Sequence, residues 1–206
     1  MSVPLLAIGI AAGVTLIFFL IRTRLHPDLR FWPTPRPWGW QSLLFWTLFR
    51  TLNISALVLS ALDWHRWKAV SPERWLGAGL AVAGVALYGM ACYALGRGNL
   101  YCGKDGLVTG GIYRWTRNPQ YATAIPAYLG LALASYSLGA LILAILLALT
   151  FVLMALAEEP WLEANYGEDY RAYRRRVARF YNWRYGLIVL RTESLRLERA
   201  LKGARP

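Results

Sequence analysis

Charge is scarce in this sequence, and so are the residues that build metal and disulfide sites. Only 17% of its 206 residues are charged while 57% are apolar, and mean hydropathy is +0.34, a balance unlike that of an ordinary soluble domain. Hydrophobicity of this order also excludes disorder. The two cysteines, Cys92 and Cys102, make neither a disulfide framework nor a CxxC pair. His26 and His65 are the only histidines and have no partners at ligand spacing, so no metal is implied. Eleven acidic residues face 23 Lys and Arg, a net charge of +12. A nucleic-acid partner is one reading of such a charge; the positions of the charges favour a membrane surface and no nucleic acid.

Long uncharged windows are abundant. Val3–Ile21 and Trp75–Gly96 carry no charge, Pro37–Leu62 carries only Arg50, and Asn118–Ala157 runs for 40 residues without one. A membrane helix needs about 20 apolar residues, and 40 would make roughly 60 Å of helix. The long window therefore reads as two helices joined by a turn at Ser135, Tyr136, Ser137 and Gly139. The sequence predicts an all-α integral membrane protein, one domain over 1–206, with five spans at about 3–21, 40–62, 75–95, 119–135 and 139–157. A helical tail over 160–206 is expected to lie on the cytoplasmic surface.

Basic residues fall on one side of this scheme. The loops after spans one and three and the segment after Glu158 hold nineteen Lys and Arg, whereas the other face holds Arg66, Lys68 and Arg74. The positive-inside rule then predicts the N-terminus outside and the C-terminus in the cytoplasm. Trp32, Trp38, Trp40, Trp64, Trp67, Trp75, Trp115 and Trp161 lie near span ends, the pattern of an interfacial belt.

Two segments stand out on the cytoplasmic side. The first is Gly111-Ile-Tyr113-Arg-Trp-Thr-Arg117-Asn118-Pro119-Gln-Tyr121. Asn118 and Pro119 suit the cap and first position of a helix, which leaves the clustering of Tyr113, Arg117 and Tyr121 unexplained. A helix start beside an Arg suits an anionic group such as a carboxylate. The second segment begins with Glu158-Glu159 directly after the apolar run, an unusual place for adjacent carboxylates. Beyond it Leu162, Tyr166, Tyr170, Tyr173 and Val177 recur at helical spacing, one face of an amphipathic helix turned towards protein or lipid. An antiparallel hairpin of spans four and five returns both segments to one membrane face, where they form a site suited to a zwitterionic molecule. Arg50, with Asn53 three residues on, is either a side chain snorkelling from its span or a contact for an acceptor headgroup.

The first segment resembles the G-x-Y-x-x-x-R-H-P-x-Y signature of the membrane methyltransferases that comprise the isoprenylcysteine carboxyl methyltransferase and phospholipid N-methyltransferase group. Glu158-Glu159-x-x-Leu162-x-x-x-Tyr166-Gly167-x-x-Tyr170-x-x-Tyr173 is similar to the same family's C-terminal signature, and Leu95-Gly96-Arg97 to its loop after the preceding span. The resemblance covers about Leu95 to Phe180. It implies a pocket for S-adenosylmethionine held by Gly96, Tyr113, Asn118, Pro119, Tyr121, Glu158 and Glu159. It also implies a lipid or lipidated methyl acceptor that reaches this pocket from the membrane. It further implies catalytic roles for Arg117, Tyr121 and Glu159, and acceptor contacts from Arg117 and Tyr170, beside which Arg50 stands as the separate headgroup candidate described above. Asn118 departs from the family pattern, which has His there; its amide still hydrogen-bonds but cannot become a cation.

An ammonium acceptor must lose a proton before methylation, with Glu159 as the candidate base, whereas a carboxylate needs none. Two other readings stand beside the methyltransferase: a nicotinamide-dependent membrane reductase related to sterol reductases, and a non-catalytic protein that keeps the fold.

Overall fold

The computed structural model describes residues 2–64, 71–103 and 105–181. Helix α1 spans Val3–Leu25, α2 Trp40–Trp64, α3 Pro72–Leu95, α4 Arg97–Leu100, α5 Pro119–Ser135 and α6 Leu138–Arg176; two single 3-10 turns occupy Pro27–Leu29 and Gly111–Arg114. Among the described residues there is no strand. Four helices, α1, α2, α3 and α6, are long and apolar enough to cross a membrane. The remaining expected span, the fourth, coincides with α5, 17 residues long. His65, Arg66, Trp67, Lys68, Lys104 and the tail beyond Tyr181 lie outside the described residues.

The helix starts and stops follow local chemistry. Ser71 accepts from the Arg74 amide ahead of Pro72 at the first helical position, a standard N-terminus. The expected turn between α5 and α6 is present: Tyr136 takes the left-handed conformation at φ 49°, and Ser137 caps α6 by accepting from the Ala140 amide. Asn118 occupies the cap position of α5, but its side chain makes no cap hydrogen bond, a correction to the expected capping role.

Small residues set the packing. Helix α1 buries Gly9, Ala12, Gly13 and Leu16, and α6 buries Ala140, Leu143, Ala144 and Leu147. A Cβ on Gly9 would come within 2.6 Å of Leu143. Helix α3 packs chiefly on α5, through Gly77, Gly84 and Gly130. A Cβ on Gly77 would meet the Ala134 amide and the Gly130 carbonyl at 2.6 Å, and one on Gly84 would meet Ala127 at 2.7 Å. In a hydrocarbon solvent close backbone approach of this kind holds helices together through dispersion. The outer face of α3 remains apolar and exposed, with Leu76, Val82, Val85 and Met90 uncovered.

The expected separate helix after span five does not begin afresh. Helix α6 continues through Pro160 to Arg176, broken only at Gly167, where φ 52° and ψ −125° suit glycine. The stripe of Leu162, Tyr166, Tyr170, Tyr173 and Val177 faces protein, packing with Tyr113 and with Leu95, Leu107, Val108 and Ile112.

Candidate active site

The end of the bundle where α3 stops and α5 starts encloses a cavity. Gly96, at φ 82° and ψ 153°, ends α3 and turns the chain into α4, a conformation that favours glycine. The connection that follows supplies one wall, including Asn99, Gly103, Gly106 and Leu107. Helix α6 supplies another through Phe151, Met154, Glu158, Tyr166 and Tyr170. Tyr113, Arg117, Asn118, Gln120 and Tyr121 come from the start of α5 and the turn before it, Trp32 from the link between α1 and α2, and Trp46 from α2. The free volume is about 140 Å³, below the roughly 300–1,000 Å³ of most ligand sites.

Among the described residues, two charged side chains line this cavity, Glu158 and Arg117. The apolar run of α6 ends at Ala157, so both carboxylates of the Glu158-Glu159 pair stand just past the spanning part. Glu158 Oε1 accepts from Trp32 Nε1 at 2.7 Å and from the Tyr121 hydroxyl. Burial pushes the Glu158 carboxyl up to about 7, against the pull of the Tyr121 and Trp32 hydrogen bonds, and neighbouring Glu159 raises it further. Tyr113 donates to Gln120 Oε1 at 2.6 Å and is itself fixed by Tyr173, which donates to its carbonyl at 2.6 Å.

Arg117 is held from two sides. Its Nη2 pairs with Glu159 Oε1 at 3.0 Å and its Nη1 donates to the Tyr170 hydroxyl at 3.0 Å, with only 8% of the side chain exposed. Its Nε is buried and has no hydrogen-bond partner among the described residues. Glu159 also takes a two-pronged contact from Arg179, Nε to Oε1 at 2.7 Å and Nη2 to Oε2 at 2.8 Å. Burial raises the Glu159 carboxyl, but the Arg179 hydrogen bonds and the Arg117 and Arg179 charges outweigh it and hold the group below the usual carboxylate range.

Arg179 belongs to a short strap after α6 that lies across the start of α5. The Arg117 amide donates to the Ala178 carbonyl at 2.9 Å, and Thr116 Oγ1 and Asn118 Nδ2 both donate to the Arg179 carbonyl, at 3.0 and 3.1 Å. The strap explains what the sequence did not. Asn118 lines the cavity, yet its amide nitrogen is committed to the strap.

Measured against the sequence reading, Tyr113, Arg117, Asn118, Tyr121, Glu158 and Tyr170 share the cavity wall. Glu159 does not line it and serves two arginines instead; Gly96 shapes the backbone beside it, and Pro119 is buried at the first turn of α5. Arg50 is exposed on α2, its guanidinium 5.8 Å from the centre of the Trp46 ring. Trp38, Trp40, Trp75 and Trp115 are exposed as a belt requires, but Trp32 is 4% exposed and bound to Glu158, a correction to its place in that belt. Among the described residues no group of three or more His, Cys, Asp or Glu could hold a metal.

Fold and site together show, among the described residues, an all-helical bundle with helices fit to cross a membrane and, at one end, a largely apolar cavity that carries two charged side chains. Residues 72–169, just under half of the chain, match the family model described as phospholipid methyltransferase, so this segment is similar to that family of membrane methyltransferases. The match bears out the resemblance carried by the two signature segments and gives no support to a reductase. No curated protein and no solved structure matches the chain.

Proposed function

We propose that the protein is an S-adenosylmethionine-dependent methyltransferase acting on a lipophilic acceptor, with five spans, the N-terminus outside and the cavity opening to the cytoplasm. The observation that carries the reading is the pair of charges on the cavity wall. Glu158 offers a carboxylate to a cation, and Arg117 keeps a buried Nε without a partner. One anion and one cation in an aromatic enclosure fit the zwitterionic end and sulfonium of the cofactor, because rings such as Tyr121, Tyr166, Tyr170 and Trp161 also favour positive charge. A cavity of about 140 Å³ does not admit a nucleoside as it stands, so binding requires the walls around it to move apart.

The cofactor, once bound, supplies an activated methyl group on its sulfonium. The chain's own residues bind and orient. Glu158, Tyr113 and Tyr121 hold the cofactor, with Asn118, Pro119 and Gly96 shaping the backbone around it. Glu159 fixes Arg117, and Arg117 and Tyr170 border the acceptor side. An apolar groove of about 770 Å³ between α2, α3, α5 and α6 shares Phe49, Tyr88 and Phe151 with the cavity; it brings the acceptor's nitrogen, oxygen or sulfur from lipid to the methyl group. In this reading Arg50, one turn from Trp46 on α2 and exposed, meets an acceptor headgroup. Transfer of labelled methyl from the cofactor to extracted membrane lipid tests the proposal. Incorporation by the parent and its loss in Glu158→Gln support it; no incorporation into any lipid class contradicts it.

A further inference from the structure

Both described donors to Glu158 converge on one oxygen. Trp32 Nε1 and the Tyr121 hydroxyl each donate to Oε1, and no described residue donates to Oε2. A carboxylate pinned in this way keeps a fixed rotation and presents its other oxygen to whatever enters the cavity it lines. Tyr121 and Glu158 lie within the segment that matches the methyltransferase family, residues 72–169. Trp32 lies outside it, in the connection between α1 and α2.

The Trp32 ring has little freedom to turn. It is 4% exposed, stacks on Phe45 at 4.2 Å and meets Trp46 edge-on at 6.1 Å, and Phe45 in turn stacks on Phe49 at 5.6 Å. A rigid indole N–H aimed at a buried carboxylate stabilises the ionised form, because the donor replaces lost water. We infer that Trp32 is a positioning residue: its N–H holds Glu158 turned so that Oε2 receives the cationic end of the bound ligand. The inference rests on the proposed cofactor reading and adds to it a residue that the family segment does not contain.

The physical consequence concerns pH. Around Glu158 stand Trp32 from the α1–α2 link, Tyr121 and Tyr113 from α5 and the turn before it, Glu159 and Tyr170 from α6, and Cys102. The Trp32 and Tyr121 hydrogen bonds pull the carboxyl down. Removing the Trp32 donor therefore raises it, and ligand binding that needs the carboxylate shifts to higher pH.

The experiment is calorimetry of S-adenosylhomocysteine binding to the full chain in lipid nanodiscs, from about pH 6 to 8, the range that brackets a carboxyl near neutrality. The parent is expected to bind more tightly as pH rises. Trp32→Phe, which keeps a ring and loses the N–H, is expected to bind about tenfold more weakly at neutral pH, the loss of one hydrogen bond to a charge, with the midpoint of its pH profile moved up. Phe45→Leu, which disturbs the stack but leaves the donor, is expected to keep the parent midpoint. Should Trp32→Phe not fold, benzothienylalanine at position 32 preserves the two-ring shape without the donor. A parent midpoint in the donor-less variant overturns the role of Trp32 while leaving the cofactor reading intact. No binding by the folded parent at any pH overturns the cofactor reading, and the inference with it.

Discussion

The hydroxyl of Tyr181 donates to the carbonyl of Ala122 at 2.7 Å. That carbonyl would ordinarily receive the amide of residue 126, but Pro126, inside α5, has no N–H to give. The strap after α6 thus supplies the donor that the helix sequence withholds, one turn from the cavity. Tyr181→Phe is expected to lower stability by about 1 kcal/mol, the net worth of one hydrogen bond, as a fall in the thermal midpoint in detergent. It should also expose the start of α5 to faster hydrogen exchange. Unchanged exchange there would show that the strap is incidental.

The Arg117–Glu159 pair is the buried ionic contact of the site, with side chains 8% and 13% exposed. Breaking such a pair from one side leaves a buried charge poorly compensated. Glu159→Gln is expected to cost about 3–5 kcal/mol, read by chemical or thermal unfolding. Glu163→Gln removes a surface partner of Arg171 and Arg174, and its midpoint is expected to match the parent within error. The pH sign follows from the lowered Glu159 carboxyl. Its contribution is complete above the ordinary value of 4.5 and is lost as pH falls through the lower folded value. A pH-stability curve of Glu159→Gln should therefore converge on the parent's at acid pH.

Helix α3 offers a paired test of packing. Gly77→Ala places a Cβ 2.6 Å from the Ala134 amide and the Gly130 carbonyl, where backbone must shift, whereas Gly79→Ala meets nothing within 4 Å. The first is expected to destabilise by about 1–3 kcal/mol and the second to be neutral or slightly stabilising, since alanine favours helix over glycine. Equal unfolding midpoints for the two variants would contradict the close α3–α5 contact.

Orientation is open to direct labelling. Leu138, at the turn between α5 and α6, is 65% exposed, unlike the buried Ser137 beside it. In a background without the native cysteines, Leu138→Cys is expected to react with an impermeant reagent from outside intact cells. Reaction only after permeabilisation would reverse the proposed topology.

Much of the helical frame was legible because uncharged length is a coarse and sufficient signal: the limits of α2 and α5 lie within a few residues of their windows. Side-chain direction was harder. Glu158 and Glu159 are neighbours in sequence, but successive helical residues diverge by about 100°. One therefore enters the cavity and the other turns to Arg117 and Arg179. Trp32 was indistinguishable from the belt tryptophans, since its partner is 126 residues away and composition carries no trace of a long-range hydrogen bond. Likewise the cap chemistry of Asn118 gave way to tertiary bonding, because the strap provides a carbonyl for its amide. The continuation of α6 through Pro160 was hidden because the uncharged window, which bounded the span, ends at Ala157.

A titration of the purified full chain with S-adenosylhomocysteine, run in parallel with NADPH, separates a methyl-donor pocket from a nicotinamide one. The account predicts saturable binding of the first at one site, weakened roughly ten- to a hundredfold by Glu158→Gln as a charge-assisted hydrogen bond is lost, and no binding of the second. Binding of NADPH alone, or binding of S-adenosylhomocysteine unaffected by Glu158→Gln and Tyr121→Phe, would contradict it.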